Sequence, residues 1–208
     1  MTALTIEAAR PLLAGLDYAG VAVFAASGAL AAARAKYTLV TFAFFAAVTG
    51  VGGGTLRDLL IGAPVFWVYR SDYLGVCLIA AGLVWVLRAD RWRLDALLWL
   101  DALGLAAYAV IGAAKALSYG VPPLAAVAMG VLTASFGGIV RDVLAGQPSV
   151  LLRREIYVSA AALGAAVYVG AAVAGVDTRV AGLAGAAAGF GLRAAALRWN
   201  VALPDYRD

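Results

Sequence analysis

The chain has 208 residues and a formal net charge of +4; 64% of its residues are hydrophobic and only 13% are charged. A soluble domain is about half apolar and about a quarter charged, so this composition indicates an integral membrane protein built from helices. Histidine is absent and Cys77 is the single cysteine, which removes the usual residues of zinc sites, haem ligation, His-based triads and disulfides. No basic cluster is interleaved with aromatic residues, and most of the arginines lie in loops, which argues against nucleic acid as a partner.

Taken in chain order, hydropathy and breaks predict seven spans, each near the length of about 20 apolar residues that a bilayer core requires. They cover residues 12–33, 38–61, 72–87, 96–117, 122–145, 155–175 and 179–197. Phe66, Trp67 and Tyr69 follow Pro64 and predict an interfacial turn between the second and third spans. The fold class is therefore predicted as all-α, with a single membrane domain over residues 1–208.

One stretch occurs twice. Residues 49–64 read TGVGGGTLRDLLIGAP and residues 133–148 read TASFGGIVRDVLAGQP, with every matching pair 84 residues apart. The same offset aligns residues 17–73 with 101–157, where 17 of 57 positions are identical without a gap. An alanine-rich chain gives many identities by chance, so the evidence for a repeat comes mainly from identities between rarer residue types. These include Asp17 with Asp101, Gly28 with Gly112, and Tyr73 with Tyr157.

The repeat predicts an inverted topology. Repeat 1 covers residues 12–88 and repeat 2 covers 96–175, with the helix at 179–198 outside the symmetry. Each repeat holds three helices, so the second repeat must enter the membrane from the opposite side, an arrangement whose sites usually lie near the midplane. Ten loop Lys and Arg residues lie on one side and four on the other. This bias predicts an outside N-terminus and a cytoplasmic C-terminus.

The glycine clusters inside the second and fifth spans require an explanation, because glycine costs about 1 kcal/mol relative to alanine in a helix interior. We predict that they kink or unwind these helices, which would free carbonyl groups to replace the hydration shell of an ion. The alternative is that they only allow helices to pack closely. The candidate kink residues are Gly50, Gly52, Gly53, Gly54, Gly137 and Gly138.

The Arg-Asp pairs at 57–58 and 141–142 place charges inside predicted spans, where each costs at least about 2.5–3.5 kcal/mol to insert. We expect them to line or gate a polar pathway; the alternative is a structural salt bridge that locks the two helices. Hydroxyl groups nearby would line the same path or bond back to their own helix. The candidate pore residues are Arg57, Asp58, Arg141, Asp142, Thr49, Thr133, Ser135, Phe136, Asp17 and Asp101.

Three further features have simple structural interpretations. Asp17 and Asp101 lie near the starts of the first and fourth spans, which predicts N-cap or first-turn acids, with pore-mouth carboxylates as the alternative. Lys115 lies near the outer end of the fourth span, where a lysine can snorkel. The motif Gly185-x-x-x-Gly189 predicts tight helix packing, within the protomer or between subunits.

Two copies of D-x-x-G-x-x-x-[FY]-A-x-x-G-A, each followed by GG-x-x-RD-x-L-x-G-x-P, resemble the prokaryotic branch of the trimeric intracellular cation (TRIC) channels. The resemblance implies a homotrimer in a bacterial inner membrane, with membrane lipids as partners and one pore per protomer shaped by kinked second and fifth helices. It implies potassium as the chief permeant ion, with no other metal and no cofactor. The bacterial family has also been associated with glycine uptake.

The chain departs from the family pattern in two places. Phe136 stands where the first repeat has Gly52, so the fifth helix would bend less or Phe136 would plug the path. The region of the animal lipid-binding motif reads VIGAAKALSYG, with Lys115 as its only charge.

Three functions follow as hypotheses. The first is a passive potassium-permeable channel. The second is a secondary transporter for a small zwitterion such as glycine, and the third is a membrane protein whose glycines serve only assembly. The sequence offers no candidate pair of catalytic nucleophile and base and no set of metal ligands, so we do not expect an enzyme.

Overall fold

The computed structural model describes residues 3–87, 94–152 and 154–204, and almost all of them are helical. The helices are α1 (Ala3–Arg34), α2 (Leu39–Leu60), α3 (Phe66–Tyr69), α4 (Asp72–Val86), α5 (Leu94–Ser118), α6 (Pro123–Leu144), α7 (Val158–Val173) and α8 (Thr178–Trp199). A 3₁₀ turn lies at Val150–Leu152. Each of the seven predicted spans corresponds to one long helix, and the predicted aromatic turn is the short α3.

Within the residues that the structure describes, four helical segments are long and apolar enough to cross a membrane: Leu39–Leu60, Leu98–Ser118, Pro123–Leu144 and Thr178–Trp199. Two shorter apolar helices, Asp72–Val86 and Val158–Val173, have 15 and 16 residues. Apolar side chains cover much of the outside, including Val40, Leu124 and Leu183, each more than 70% exposed. The chain is therefore built as a membrane protein, while the number of spans and their inversion stay predictions.

The Gly-x-Pro element of each motif copy ends a helix. Gly62 and Gly146 adopt φ values of +67° and +65°, a left-handed conformation that costs glycine little and stops the helix. In both copies the residue after this glycine donates its N–H to the carbonyl of the motif aspartate, over 2.8 Å at Asp58 and 2.9 Å at Asp142. The repeat is thus also a repeat of the helix-ending turn.

The two copies contact each other reciprocally where α2 crosses α6. A Cβ on Gly53 would overlap the carbonyl oxygen of Thr133, and a Cβ on Gly137 would overlap the carbonyl oxygen of Thr49. These two contacts exchange when the repeat offset is applied, as an axis of two-fold pseudosymmetry through the crossing requires. The absence of side chains at Gly53 and Gly137 lets the two backbones approach closely.

Neither α2 nor α6 unwinds at its glycines: both remain α-helical from end to end. In this conformation, all of the cluster glycines except Gly52 lie in close packing contacts, which agrees with the alternative considered above, and neither helix is broken into half-helices. Bending of these helices during function stays a prediction.

Helix α8 packs against α7 through glycine faces within the protomer. A Cβ on Gly185 would lie 2.7 Å from the carbonyl oxygen of Gly164, and one on Gly189 would lie 3.1 Å from that of Ala160. The predicted packing role of this motif is thereby assigned to contacts inside one chain. Cys77 is fully buried in the same core, as expected for a small apolar residue.

Candidate functional site

Two clusters of charged residues lie at opposite ends of the α2–α6 crossing, because the Arg-Asp pair of each helix is near its C-terminus and the two helices run in opposite directions. We call the group around Asp58 the first cluster: Asp17, Arg57, Asp58, Tyr73, Tyr108 and Lys115. The group around Asp142 is the second cluster: Ser27, Asp101, Arg141 and Asp142.

In the first cluster, the fully buried carboxylate of Asp58 binds two cations. One is its neighbour Arg57, whose Nε and NH2 groups both lie 2.8 Å from Oδ1. The other is Lys115, whose Nζ lies 2.8 Å from Oδ1 and 2.9 Å from Oδ2. Oδ2 of Asp58 also accepts a hydrogen bond from the backbone N–H of Phe66 at 3.2 Å, and this bond holds the loop after α2 in place. Asp58 therefore takes part in ion pairs and also fixes the loop that follows α2.

Asp17 belongs to the same end of the molecule but takes no helix-capping role, because it lies in the interior of α1 rather than at its first turn. Its carboxylate accepts hydrogen bonds from the hydroxyl of Tyr73 at 2.5 Å and from that of Tyr108 at 3.3 Å. Asp101 likewise lies inside α5, seven residues after the helix begins. The predicted N-cap role is wrong for both residues, since each helix begins earlier than expected.

In the second cluster, one arginine serves two carboxylates. Arg141 donates from Nε to Oδ1 of Asp142 at 2.9 Å and from NH1 to Oδ1 of Asp101 at 2.8 Å. The same NH1 group donates to the hydroxyl of Ser27 at 2.9 Å. Asp142 accepts the backbone N–H of Val150 at 3.0 Å, the counterpart of the Asp58–Phe66 bond in the other repeat.

Beside the second cluster lies a cavity of about 230 Å³, which we call the inner cavity. Asp101, Arg141 and Asp142 form its buried wall, and Ala31 of α1 faces them. Arg34, whose side chain is exposed, lies at its edge together with Glu155 and Arg193, which form an ion pair of 2.6 Å. The cavity thus connects the buried carboxylates to one end of the protein.

The hydroxyl groups at the crossing differ from one another. Thr133 and Ser135 donate back to carbonyl oxygens of their own helix, at Met129 over 2.6 Å and at Val131 over 2.7 Å. The hydroxyl of Thr49 is buried and has no hydrogen-bond partner among the described residues. A buried polar group without a partner indicates a place for water or for a ligand.

Gly52 and Phe136 occupy the matching face of the two helices, away from the crossing. A Cβ on Gly52 would meet nothing within 4 Å, whereas those on Gly53 and Gly54 would meet Thr133 and Phe66. Phe136 is only partly buried. The remaining candidates also have packing neighbours: Gly50 lies against Cys77, and Gly138 against the hydroxyl of Tyr157.

Thr49→Val is expected to lower single-channel conductance without lowering the melting temperature. Valine has the shape of threonine, so the change removes a hydroxyl that makes no hydrogen bond within the described part of the chain and leaves an apolar constriction that disfavours water. Thr133→Val is the matched control, because that hydroxyl is already bonded to its own helix. An equal or larger loss of conductance in Thr133→Val would contradict the assignment of Thr49 to the path.

Some participants were not predicted from the sequence. Lys115, expected to snorkel, instead binds Asp58 from another helix. Tyr73 and Tyr108 hold Asp17, and the repeat had marked Tyr73 only as an identity with Tyr157. Arg193 of α8, outside the symmetry, is 2% exposed and pairs with Glu155. Only weak signals for these participants were present in the sequence, namely a lysine near the end of a span and aromatic residues at repeated positions.

With this geometry in hand, the chain can be compared with known proteins. A profile of the glycine transporter family matches it twice, over residues 14–89 and 98–173, which reproduces the offset of the sequence repeat. A UPF0126 membrane protein of Vibrio cholerae is 40% identical over 198 residues, covering 94% of this chain and 83% of its own. The UPF0126 inner membrane protein YadS of Escherichia coli is 39% identical over 198 residues, covering 92% and 94%.

Solved structures share the fold. A TRIC trimeric intracellular cation channel orthologue from Rhodobacter sphaeroides is 47% identical with a TM-score of 0.88, covering 91% of this chain and 99% of its own. A second structure, from work on conductance through TRIC cation channels, is 29% identical with a TM-score of 0.83, covering 93% and 96%. These relatives are channels and membrane proteins rather than enzymes, in agreement with the sequence prediction.

Proposed function

The chain belongs to the glycine transporter family, and we propose that it works as a passive channel for monovalent cations, with one path through each protomer. The similarity to solved TRIC cation channels supports a cation channel. The observation that carries the proposal is the placement of the two clusters. They lie at opposite ends of the α2–α6 crossing, with the unpartnered hydroxyl of Thr49 between them.

The path runs from the first cluster, through the crossing, to the inner cavity. Intramembrane charges commonly line ion pathways, and here both sets contain carboxylates able to attract a cation. The arginines do not repel it as free charges, because Arg57 and Arg141 are each paired with the adjacent aspartate. We propose potassium as the main permeant ion, since the carboxylate and hydroxyl oxygens along this path are ligands that such a cation takes.

The conformation described is closed at the crossing, where Gly53 and Gly137 bring the backbones of α2 and α6 into contact. Opening requires the helices to separate or bend there, and the glycines make that bending inexpensive. Asp58 and Asp142 tie the ends of α2 and α6 to the segments that follow, because their carboxylates accept the backbone N–H groups of Phe66 and Val150. We propose that release of these ties accompanies opening, which makes the Arg-Asp pairs a gate.

We also propose that the protein is a homotrimer in a bacterial inner membrane. A relative of known structure is named as a trimeric channel, and another relative as an inner membrane protein. The partly exposed apolar helices offer surface to lipid and to neighbouring protomers. The inner cavity joins Arg34 and Arg193, two residues of the side predicted to be cytoplasmic. The two residues therefore lie on the same side of the protein, as the proposed topology with an inverted repeat and a cytoplasmic C-terminus requires.

The test is a recording of purified protein in planar bilayers under a KCl gradient. We expect discrete current steps that reverse near the potassium equilibrium potential. Silent bilayers, together with glycine accumulation in liposomes from the same preparation, would overturn the channel and favour the transporter that the family description names. A preparation that does neither would leave only an assembly role and would contradict both.

A further inference from the structure

The repeat matches two aspartates that hold different partners. Asp17 and Asp101 are 84 residues apart and lie inside α1 and α5. The carboxylate of Asp17 accepts hydrogen bonds from the hydroxyl groups of Tyr73 and Tyr108, which we call the hydroxyl arrangement. The carboxylate of Asp101 instead accepts from NH1 of Arg141 at 2.8 Å, which we call the guanidinium arrangement. Equivalent aspartates are thus seen in two different bonding states.

The hydroxyl needed for the hydroxyl arrangement is already present beside Asp101. Tyr157 is the repeat counterpart of Tyr73; it is 1% exposed, and its hydroxyl has no hydrogen-bond partner among the described residues. Both groups face Gly138, since a Cβ there would lie 2.9 Å from that hydroxyl and 3.8 Å from Oδ1 of Asp101. A buried hydroxyl without a partner costs free energy, which is recovered if another conformation gives it an acceptor.

A difference between the repeats explains why Asp101 does not hold the hydroxyl arrangement here. Phe24 is the counterpart of Tyr108, so Asp101 lacks the second hydroxyl that Asp17 has. The rings of Phe24 and Tyr108 pack against each other with their centroids 5.4 Å apart. By the symmetry of the repeat, a hydroxyl on Phe24 would point toward Asp101, as that of Tyr108 points toward Asp17.

Arg141 is held in the guanidinium arrangement by a contact that its counterpart lacks. Its NH1 group donates to the hydroxyl of Ser27 at 2.9 Å as well as to Asp101. Ile111 is the counterpart of Ser27 and offers no side-chain acceptor. Over the described ranges of the chain, Arg57 forms an ion pair only with the aspartate that follows it. NH1 of Arg141 therefore ties α6 to α1 and α5, whereas Arg57 makes no such tie.

We propose that Tyr157 is the alternative partner of Asp101: when the path opens at the inner cavity, NH1 of Arg141 leaves Asp101 and the tyrosine hydroxyl donates to that carboxylate. Arg141 stays paired with Asp142 through Nε and NH2. A hydrogen bond to a charged acceptor replaces the lost ion pair, and the carboxylate keeps its negative charge toward a cation. The exchange frees α6 from α1 and α5. The inference rests on the proposed function in one respect: the exchange accompanies opening of the channel.

Two substitutions should move this exchange in opposite directions. Phe24→Tyr supplies the second hydroxyl at Asp101 and should raise the ratio of open to closed time about tenfold, the factor expected for one added hydrogen bond to a charged group. Tyr157→Phe removes the exchanging hydroxyl and should lower the ratio about tenfold. It should not lower the melting temperature, since that hydroxyl makes no bond to the described residues in the closed conformation. Single-channel recording at fixed voltage and thermal unfolding measure the two effects.

Tyr73→Phe is the matched control, because it removes the hydroxyl of the equivalent tyrosine, which is already bonded to Asp17 at 2.5 Å. It should lower the melting temperature. A loss of stability in Tyr157→Phe as large as that in Tyr73→Phe would overturn the proposal. An unchanged ratio of open to closed time in both Phe24→Tyr and Tyr157→Phe would overturn it as well.

A crystal structure of the Phe24→Tyr variant tests the exchange without recording current. We expect the hydroxyl of Tyr157 to bond to Asp101 and NH1 of Arg141 to have left it. If this variant fails to fold, Ser27→Ala provides the second test, because it removes the other acceptor of NH1 and should favour the same shift. Arg141 still bonded to Asp101 in every variant that folds would reject the exchange and leave the channel intact. The exchange in a protein that carries no current would keep Tyr157 as the alternative partner and reject the channel.

Discussion

Gly53→Ala is expected to abolish or strongly reduce cation current and to lower the melting temperature. The added methyl group would overlap the carbonyl oxygen of Thr133, which belongs to the backbone of α6 and cannot rotate away. Overpacking of this kind costs about 1–3 kcal/mol, and here it also displaces the two helices that form the crossing. The measurements are single-channel recording and thermal unfolding of the same preparation.

The neighbouring glycine provides the control for this prediction. Gly52→Ala adds the same methyl group one residue earlier, where it would meet nothing within 4 Å. It removes a glycine from the same helix and so has the same effect on intrinsic helix propensity. We expect current and stability close to wild type. If Gly52→Ala and Gly53→Ala behave alike, flexibility of the cluster rather than contact at the crossing governs the channel.

Gly137→Ala should reproduce the effect of Gly53→Ala, because its methyl group would overlap the carbonyl oxygen of Thr49 in the reciprocal contact. Trimer assembly, measured by size-exclusion chromatography with light scattering, is expected to remain intact in all three variants. The changed residues lie at the crossing within the protomer, so loss of the oligomer would show that the crossing also shapes the subunit contacts.

Asp58→Asn is expected to destabilise the protein far more than Asp142→Asn does. Removing one partner of a buried ion pair costs about 3–5 kcal/mol, because the remaining charge is left unbalanced. At Asp58 the change removes the carboxylate that pairs with two cations, Arg57 and Lys115. At Asp142 it leaves Arg141 paired with Asp101, so the cluster becomes neutral. Thermal unfolding of both variants measures the difference.

The two variants are well matched, because each removes a carboxylate that pairs with an arginine and accepts a backbone N–H. That N–H belongs to Phe66 for Asp58 and to Val150 for Asp142. An asparagine oxygen can still accept the backbone bond, so the comparison isolates charge. Both variants should also reduce the preference for K⁺ over Cl⁻ in reversal-potential measurements. Equal stability losses would contradict the charge balance assigned to the clusters, and unchanged selectivity in both would remove the carboxylates from the path.

The sequence alone was enough to predict the helical membrane fold, the boundaries of most helices, the repeat and the Arg-Asp pairs. These features are local or periodic: apolar runs have the length of a span, and the repeated motif carries rare residue types at a constant offset. The turn after the second span was predicted from Pro64 and the aromatic residues that follow it, whereas the helix-ending positive φ at Gly62 and Gly146 was seen only in the structure.

Tertiary structure decided which of these residues meet. Adjacent glycines point about 100° apart on a helix, so the sequence could not say that Gly53 rather than Gly52 touches α6. Lys115 and Asp58 lie 57 residues apart, and Arg141 and Asp101 lie 40 apart. Those pairings depend on how α1, α2, α5 and α6 rotate against one another. The same packing makes Ala31 one of the residues that line the inner cavity and brings Lys115 to Asp58, because burial, unlike hydropathy, depends on all the neighbours at once.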